Sequence, residues 1–160
     1  MKYPIDFLLS AELDELPLEF VVSSLSRGLI ILRMNKIKEL GISFPQNYRF
    51  LEILKEENDN QVIQKDFAEI FRINQSTVTR SLNSLEEEGF IERITLKDNR
   101  KNKIIKLTDK GKDAIKEIED YDKKIENELL KSITEDEAIK FKEMNIKFTK
   151  IIHQLIKDDL

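Results

Sequence analysis

The sequence predicts a mainly α-helical chain with one small β-hairpin, and three observations lead there. Apolar residues recur at three- and four-residue intervals over most of the 160 residues, which gathers them on one face of a helix. Between Glu92 and Leu107 the pattern changes to two short strand-like runs around KDNRKN, whose Asp and Asn residues favour a turn. Just before that hairpin, two helical patterns stand three residues apart, the close spacing of a helix-turn-helix.

In chain order, Pro17 to about Leu40 suits a long helix, with proline tolerated in the first turn and Leu18, Val21, Val22, Leu25, Leu29, Leu32 and Ile37 forming a stripe. Gly41 closes it. After Phe44-Pro45 a second helix runs to about Glu57 and buries Tyr48, Leu51 and Ile53 or Leu54, and EENDN makes the loop after it. A third, about Gln61 to Phe71, offers Val62, Phe67, Ile70 and Phe71 to the core. A fourth follows Asn74, with Val78, Leu82 and Leu85 on one face and Ser76, Arg80, Asn83 and Glu87 near the opposite one. Gly89 ends it, because glycine adopts the left-handed conformation after a helix without steric cost. Glu92 to Leu96 and Lys103 to Leu107 are the two strands. From Thr108, an N-cap, a long helix runs to about Ser132 with Ile115, Ile118, Ile125 and Leu129 at near-heptad spacing. Thr134 and Glu137 form a capping box that opens the last helix, striped by Ala138, Phe141, Met144 or Asn145, Phe148, Ile152 and Leu155.

Composition narrows the class. A chain of this length buries about 70% of its unfolded surface, and 40% apolar with 36% charged residues is a globular balance. With no cysteine, disulfides, thiol sensors and thiolate metal sites are excluded. The start of the chain lacks the basic, apolar character of a signal peptide, and no run approaches the roughly 18 to 20 apolar residues of a membrane span. A cytoplasmic protein is expected. Catalysis is not: the single histidine, His153, stands between apolar neighbours on the last helix, and there is no metal-binding HExxH, nucleophile elbow or phosphate-cradling glycine loop. No cofactor is implied.

The net charge of -4 conceals an uneven distribution. Residues 61–112 hold eleven Lys or Arg against eight Asp or Glu, a local +3, and residues 93–112 reach +6, with eight against two. One basic element in an acidic chain suits binding to double-stranded DNA in a single orientation, with marked salt dependence. The fourth helix carries the matching chemistry. Entering the major groove N-terminus first, it brings Gln75, Ser76, Thr77, Thr79, Arg80 and Asn83 to base edges and its positive dipole end to phosphates. Glu86, Glu87 and Glu88, at the other end, would repel phosphates from a helix laid flat along the duplex. An arginine at the hairpin tip, Arg100, fits the narrow minor groove, and Lys101 and Lys103 reach flanking phosphates. An isolated lysine-rich hairpin is ordinarily a solvated turn; its place beside a helix-turn-helix reverses that reading. A winged helix used to contact an acidic protein is the competing reading, and it predicts little DNA affinity.

The long flanking helices carry more apolar stripe than the small core can cover. Packing against a second copy would bury it and set two reading helices about 34 Å apart, one turn of B-DNA. An intrachain bundle is the alternative, and the homodimer is the expectation.

Gln75-Ser76-Thr77-Val78-Thr79-Arg80, Leu85-Glu86 leading to Gly89-Phe90-Ile91-Glu92-Arg93, Asp98-Asn99-Arg100 and Leu107-Thr108-Asp109-Lys110-Gly111 together resemble the successive signatures of MarR-type transcription regulators. The resemblance implies one domain over residues 1–160: a winged helix-turn-helix at 45–107, with dimerisation helices at 17–40 and 108–157. It implies a homodimeric repressor of a pseudo-palindromic operator, with Arg100 in the minor groove and Asp98 orienting it or pairing with a nearby cation. It also allows release by a small aromatic or anionic effector, which Arg33, Tyr48 and Arg49 would approach; the favoured alternative puts Tyr48 in the core and both arginines in surface pairs. The chain departs from the family pattern at Arg72, where the turn between the two motif helices usually has glycine, and at Ile63, where a Ser or Thr cap is common. Asn60 is a possible cap from further back, and residues 1–16 lie outside the signature.

Overall fold

The structure, a computed structural model, describes residues 12, 16–57, 62–96 and 99–158, and the side chains of residues 96 and 99–102 fall outside that description. Among the described residues there are six α-helices and one antiparallel pair of strands. The mainly helical architecture with a hairpin wing is therefore as the sequence predicts. The chain divides into two compact units, residues 1–119 and 120–160.

In the first unit, α1 (Leu18–Glu39) begins at Pro17, whose carbonyl accepts from the Phe20 and Val21 amides at 3.0 and 3.2 Å. It ends where Gly41, at φ 91°, donates to the Lys38 carbonyl at 2.9 Å. Of its apolar stripe only Ile37 is buried, and Leu18, Val21, Val22, Leu25, Leu29 and Leu32 are 36–59% exposed. A short 3-10 turn, Pro45–Asn47, leads into α2 (Tyr48–Glu57), which buries Tyr48, Phe50, Leu51, Ile53 and Leu54.

The third helix starts later than expected. α3 spans Gln64–Phe71, and Val62 and Ile63 are extended instead of helical. The Val62 carbonyl accepts from the Ile105 amide at 2.9 Å, and Ile63 bridges Ile104. Ile63 cannot cap with its own side chain, which has no acceptor. Its amide is instead satisfied by Asp66 Oδ2 at 2.7 Å, half of a capping box supplied from within the helix. Phe67 is fully buried and its ring lies 5.0 Å from that of Phe50, which is 4.8 Å from Phe71. Ile70, expected in the core, is 51% exposed: the core side of the helix runs through Phe67 and Phe71, and Ile70 lies about 100° round from Phe71.

α4 (Gln75–Glu87) buries Val78, Leu82 and Leu85 as the periodicity predicts. Gly89 then takes φ 78°, and the chain enters β1 (Ile91–Leu96), paired with β2 (Asn99–Leu107) from Ile91↔Leu107 to Thr95↔Lys103. β2 begins four residues earlier than the sequence suggests. Past Thr95 the register jumps so that Leu96 faces Asn99, an irregularity in the ladder.

α5 (Asp109–Leu130) opens with the Thr108 hydroxyl accepting from the Gly111 amide at 3.1 Å, and within the first unit it buries Ala114, Ile115 and Ile118. Ion pairs join Lys36 to Glu117 at 3.6 Å and Lys55 to Glu119. In the second unit, α6 (Glu135–Asp158) opens with the expected capping box: the Thr134 amide and hydroxyl each donate to Glu137 Oε2 at 2.8 Å. Its apolar stripe is open to solvent, with Phe141, Met144, Ile152 and Leu155 47–57% exposed and Ala138 alone among the helix's described residues buried. No helix among the described residues is long and apolar enough to cross a membrane.

Candidate nucleic-acid interface

The candidate reading surface is built at the N-terminus of α4. Asn74 caps the helix, its Oδ1 accepting from the Thr77 amide at 2.8 Å and from the Ser76 hydroxyl at 2.7 Å. The cap leaves the positive end of the helix facing outward, in front of the polar residues that follow. Gln75, Ser76, Arg80 and Asn83 are exposed; Thr77 and Thr79 are half-buried. Burial of Val78, Leu82 and Leu85 fixes this division, so the helix cannot turn its polar face inward.

Three of the predicted polar residues are held by partners that sequence reasoning missed. Gln64, at the start of α3, donates from Nε2 to Thr79 Oγ1 at 2.7 Å and to Gln75 Oε1 at 3.4 Å, while Thr79 donates to the Gln75 carbonyl at 2.8 Å. Arg93, on β1, donates to Asn83 Oδ1 at 2.8 Å. Both contacts cross between elements, ten to fifteen residues apart, and no periodicity announces them.

The acidic end of the helix is tamer than its sequence. Glu86 pairs with Arg93 at 2.6 Å. Glu88 accepts from the Ser84 hydroxyl at 2.9 Å and from the Ser43 amide at 3.3 Å. Two of the three carboxylates are thus engaged by the protein, and the arginine offsets the repulsion that Glu86 would exert on phosphates. Lys110 adds a positive charge at the same end, its Nζ 2.6 Å from the Glu88 carbonyl and 4.3 Å from the centre of the Phe90 ring.

Arg72, in the turn before α4, takes the left-handed conformation at φ 52°, ψ 42°, which explains why glycine suits that position. In the hairpin, Lys103 is exposed. Asp98 lies outside the described residues, as do the side chains of Arg100 and Lys101.

The three residues expected near an effector are close together on α1 and α2. Arg33 Nη2 and Arg49 Nη1 both reach Glu52, at 2.7 and 2.9 Å, and the Arg33 guanidinium lies 5.2 Å from the ring centre of Tyr48, which is buried.

Comparison with known proteins agrees with this geometry. Residues 45–103, from the 3-10 turn to the hairpin, match the model of the MarR family. Among solved structures, that of MarR is 25% identical, with 93% of this chain and 99% of that one covered at a TM-score of 0.63. MepR, a transcription regulator of the Staphylococcus aureus multidrug efflux pump MepA, is 20% identical over 88% of this chain and 99% of its own, with a TM-score of 0.72. The S. aureus MepR-DNA complex is 20% identical over 86% and 98%, at 0.70. The winged-helix part of the chain, residues 45–103, is thus similar to the MarR family, and the likeness in fold continues through the flanking helices.

Proposed function

We propose that this chain is a sequence-specific double-stranded DNA-binding transcription regulator that acts as a homodimeric repressor of a pseudo-palindromic operator. The observation that carries the reading is α4 itself: a capped N-terminus followed by exposed Gln75, Ser76, Arg80 and Asn83, on a helix locked by Val78, Leu82 and Leu85. Such a helix enters the major groove end-on, with base contacts from its first turns. Lys103 and, by their position in the sequence, Arg100 and Lys101 contact the flanking backbone and minor groove, with Asp98 orienting Arg100.

Open apolar faces on α1 and α6 support the dimer. A second chain would cover them and set the half-site spacing at about 34 Å. An aromatic or anionic effector acting near Arg33, Tyr48 and Arg49 would compete with Glu52 for the two guanidinium groups, and would release DNA by favouring a dimer whose reading helices are wrongly spaced.

Selection of bound sequences from a random duplex pool, followed by affinity measurements at two salt concentrations, tests the proposal. A two-fold symmetric consensus whose log affinity falls linearly with log salt is expected. A consensus without symmetry refutes the dimer. No binding at low salt refutes DNA recognition and leaves protein contact as the use of the winged helix.

A further inference from the structure

Arg93 stands on β1 beside the reading helix, with 15% of its side chain exposed. Its Nη1 donates both to Asn83 Oδ1 at 2.8 Å and to Glu86 Oε2 at 2.6 Å, so one guanidinium nitrogen grips two side chains of α4. A guanidinium has donors only. The atom of the Asn83 carboxamide that faces it must therefore be the oxygen, and the exposed end of Asn83 is its NH2 group.

We propose that Arg93 is a positioning residue that makes Asn83 a donor-only reader, selecting guanine in the operator. A free asparagine suits adenine, because its oxygen accepts from N6 while its nitrogen donates to N7. That pairing needs both ends of the amide on one base edge. Here the oxygen is turned toward β1, and swinging both ends of the amide onto one base edge would pull it from a charge-assisted bond to an arginine whose Nη2 is already buried without a partner. Guanine places two acceptors, O6 and N7, side by side in the major groove and asks nothing of the oxygen. Glu86 offsets the charge of Arg93 and keeps the guanidinium from being drawn to a phosphate instead.

The inference rests on α4 being the DNA-reading helix, and the experiment separates the two. Base preferences are measured by duplex selection for the wild type, Asn83→Ala, Arg93→Met and the double variant, with thermal melts to confirm folding. The base pair whose preference disappears in N83A should be G·C in the wild type, favoured over A·T by about tenfold. R93M should lose that tenfold bias as the released amide becomes able to pair with adenine, and adding R93M to N83A should change nothing at that position. An A·T pair at the N83A-sensitive position overturns the inference, as does an R93M protein that keeps the G·C bias. If R93M does not melt cooperatively, the wild-type and N83A consensus sequences decide alone. A wild type that selects no sequence removes the DNA-reading assignment, and the inference with it.

Discussion

Replacing Gly111 with alanine tests how tightly the start of α5 is built against the end of α4. A Cβ at Gly111 would stand 2.2 Å from the Phe90 carbonyl oxygen and 3.2 Å from Leu107 Cδ2. Ordinary carbon-oxygen contacts begin near 3.3 Å, so the backbone has to part by about 1 Å. Phe90 has little freedom to do so: it is 1% exposed, and its carbonyl accepts from the Thr108 amide at 3.1 Å. The Thr108 hydroxyl also donates to the Gly89 carbonyl at 2.7 Å, so displacing either side strains two hydrogen bonds. Overpacking of this kind costs about 1 to 3 kcal/mol, and weakening the hydrogen bonds adds about 1 kcal/mol. Alanine returns about 1 kcal/mol through helix propensity. The net expectation is a loss of about 2 kcal/mol, or about 4 to 8 °C in melting temperature at this chain length. Urea unfolding at fixed protein concentration measures it, since association would otherwise shift the midpoint. A G111A protein as stable as the wild type would refute the reasoning, showing that propensity alone governs the position.

Arg72→Gly should stabilise the protein by about 0.5 to 1 kcal/mol in the same assay, since relief of a left-handed side-chain residue exceeds the entropy that glycine adds; a loss of stability would mean that the Arg72 side chain contributes more than its backbone costs. Asn74→Ala removes the α4 cap and should cost about 1 kcal/mol of stability, while also weakening duplex binding. Arg80→Ala should relax preference at one base position by about 1 to 3 kcal/mol, whereas Lys103→Ala should weaken all duplexes alike and lower the salt slope by about 1; equal effects of the two on specificity would contradict the division of labour. The Thr134 amide, and then its hydroxyl, hold the Glu137 carboxyl below the usual carboxylate range. Its pKa being depressed on folding, the stabilisation is present above the unfolded value of about 4.3 and is lost as pH falls through the lower folded one, so the start of α6 should fray only in acid. A carboxyl NMR titration placing Glu137 at or above a model-peptide glutamate would contradict this.

What the sequence made legible was what is local. Val78, Leu82 and Leu85 define α4 because three apolar side chains at helical spacing leave little else to decide, and Thr108 and Thr134 each cap the helix they precede by contacts within three residues. The exposed stripes on α1 and α6 were equally plain, since spacing alone creates them. Pairings between distant segments were hidden. Val62 and Ile63 read as the first turn of a helix, yet β2 captures them from forty residues away. The helix behind them then starts on Asp66, an acid inside its first turn, where a search for preceding Ser or Thr finds nothing. Gln64 and Arg93 escaped for the same reason: their partners on α4 are neighbours only once the chain is folded.

The bridge at Val62–Ile63 has a mechanical consequence. It ties the base of the hairpin to the entrance of the helix-turn-helix, so the span from reading helix to wing is set by backbone hydrogen bonds and not by the length of any loop. The winged head is therefore a caliper of fixed gauge. Residues added at the hairpin tip would lengthen its reach, and a change of gauge would require breaking the Ile105-to-Val62 hydrogen bond first.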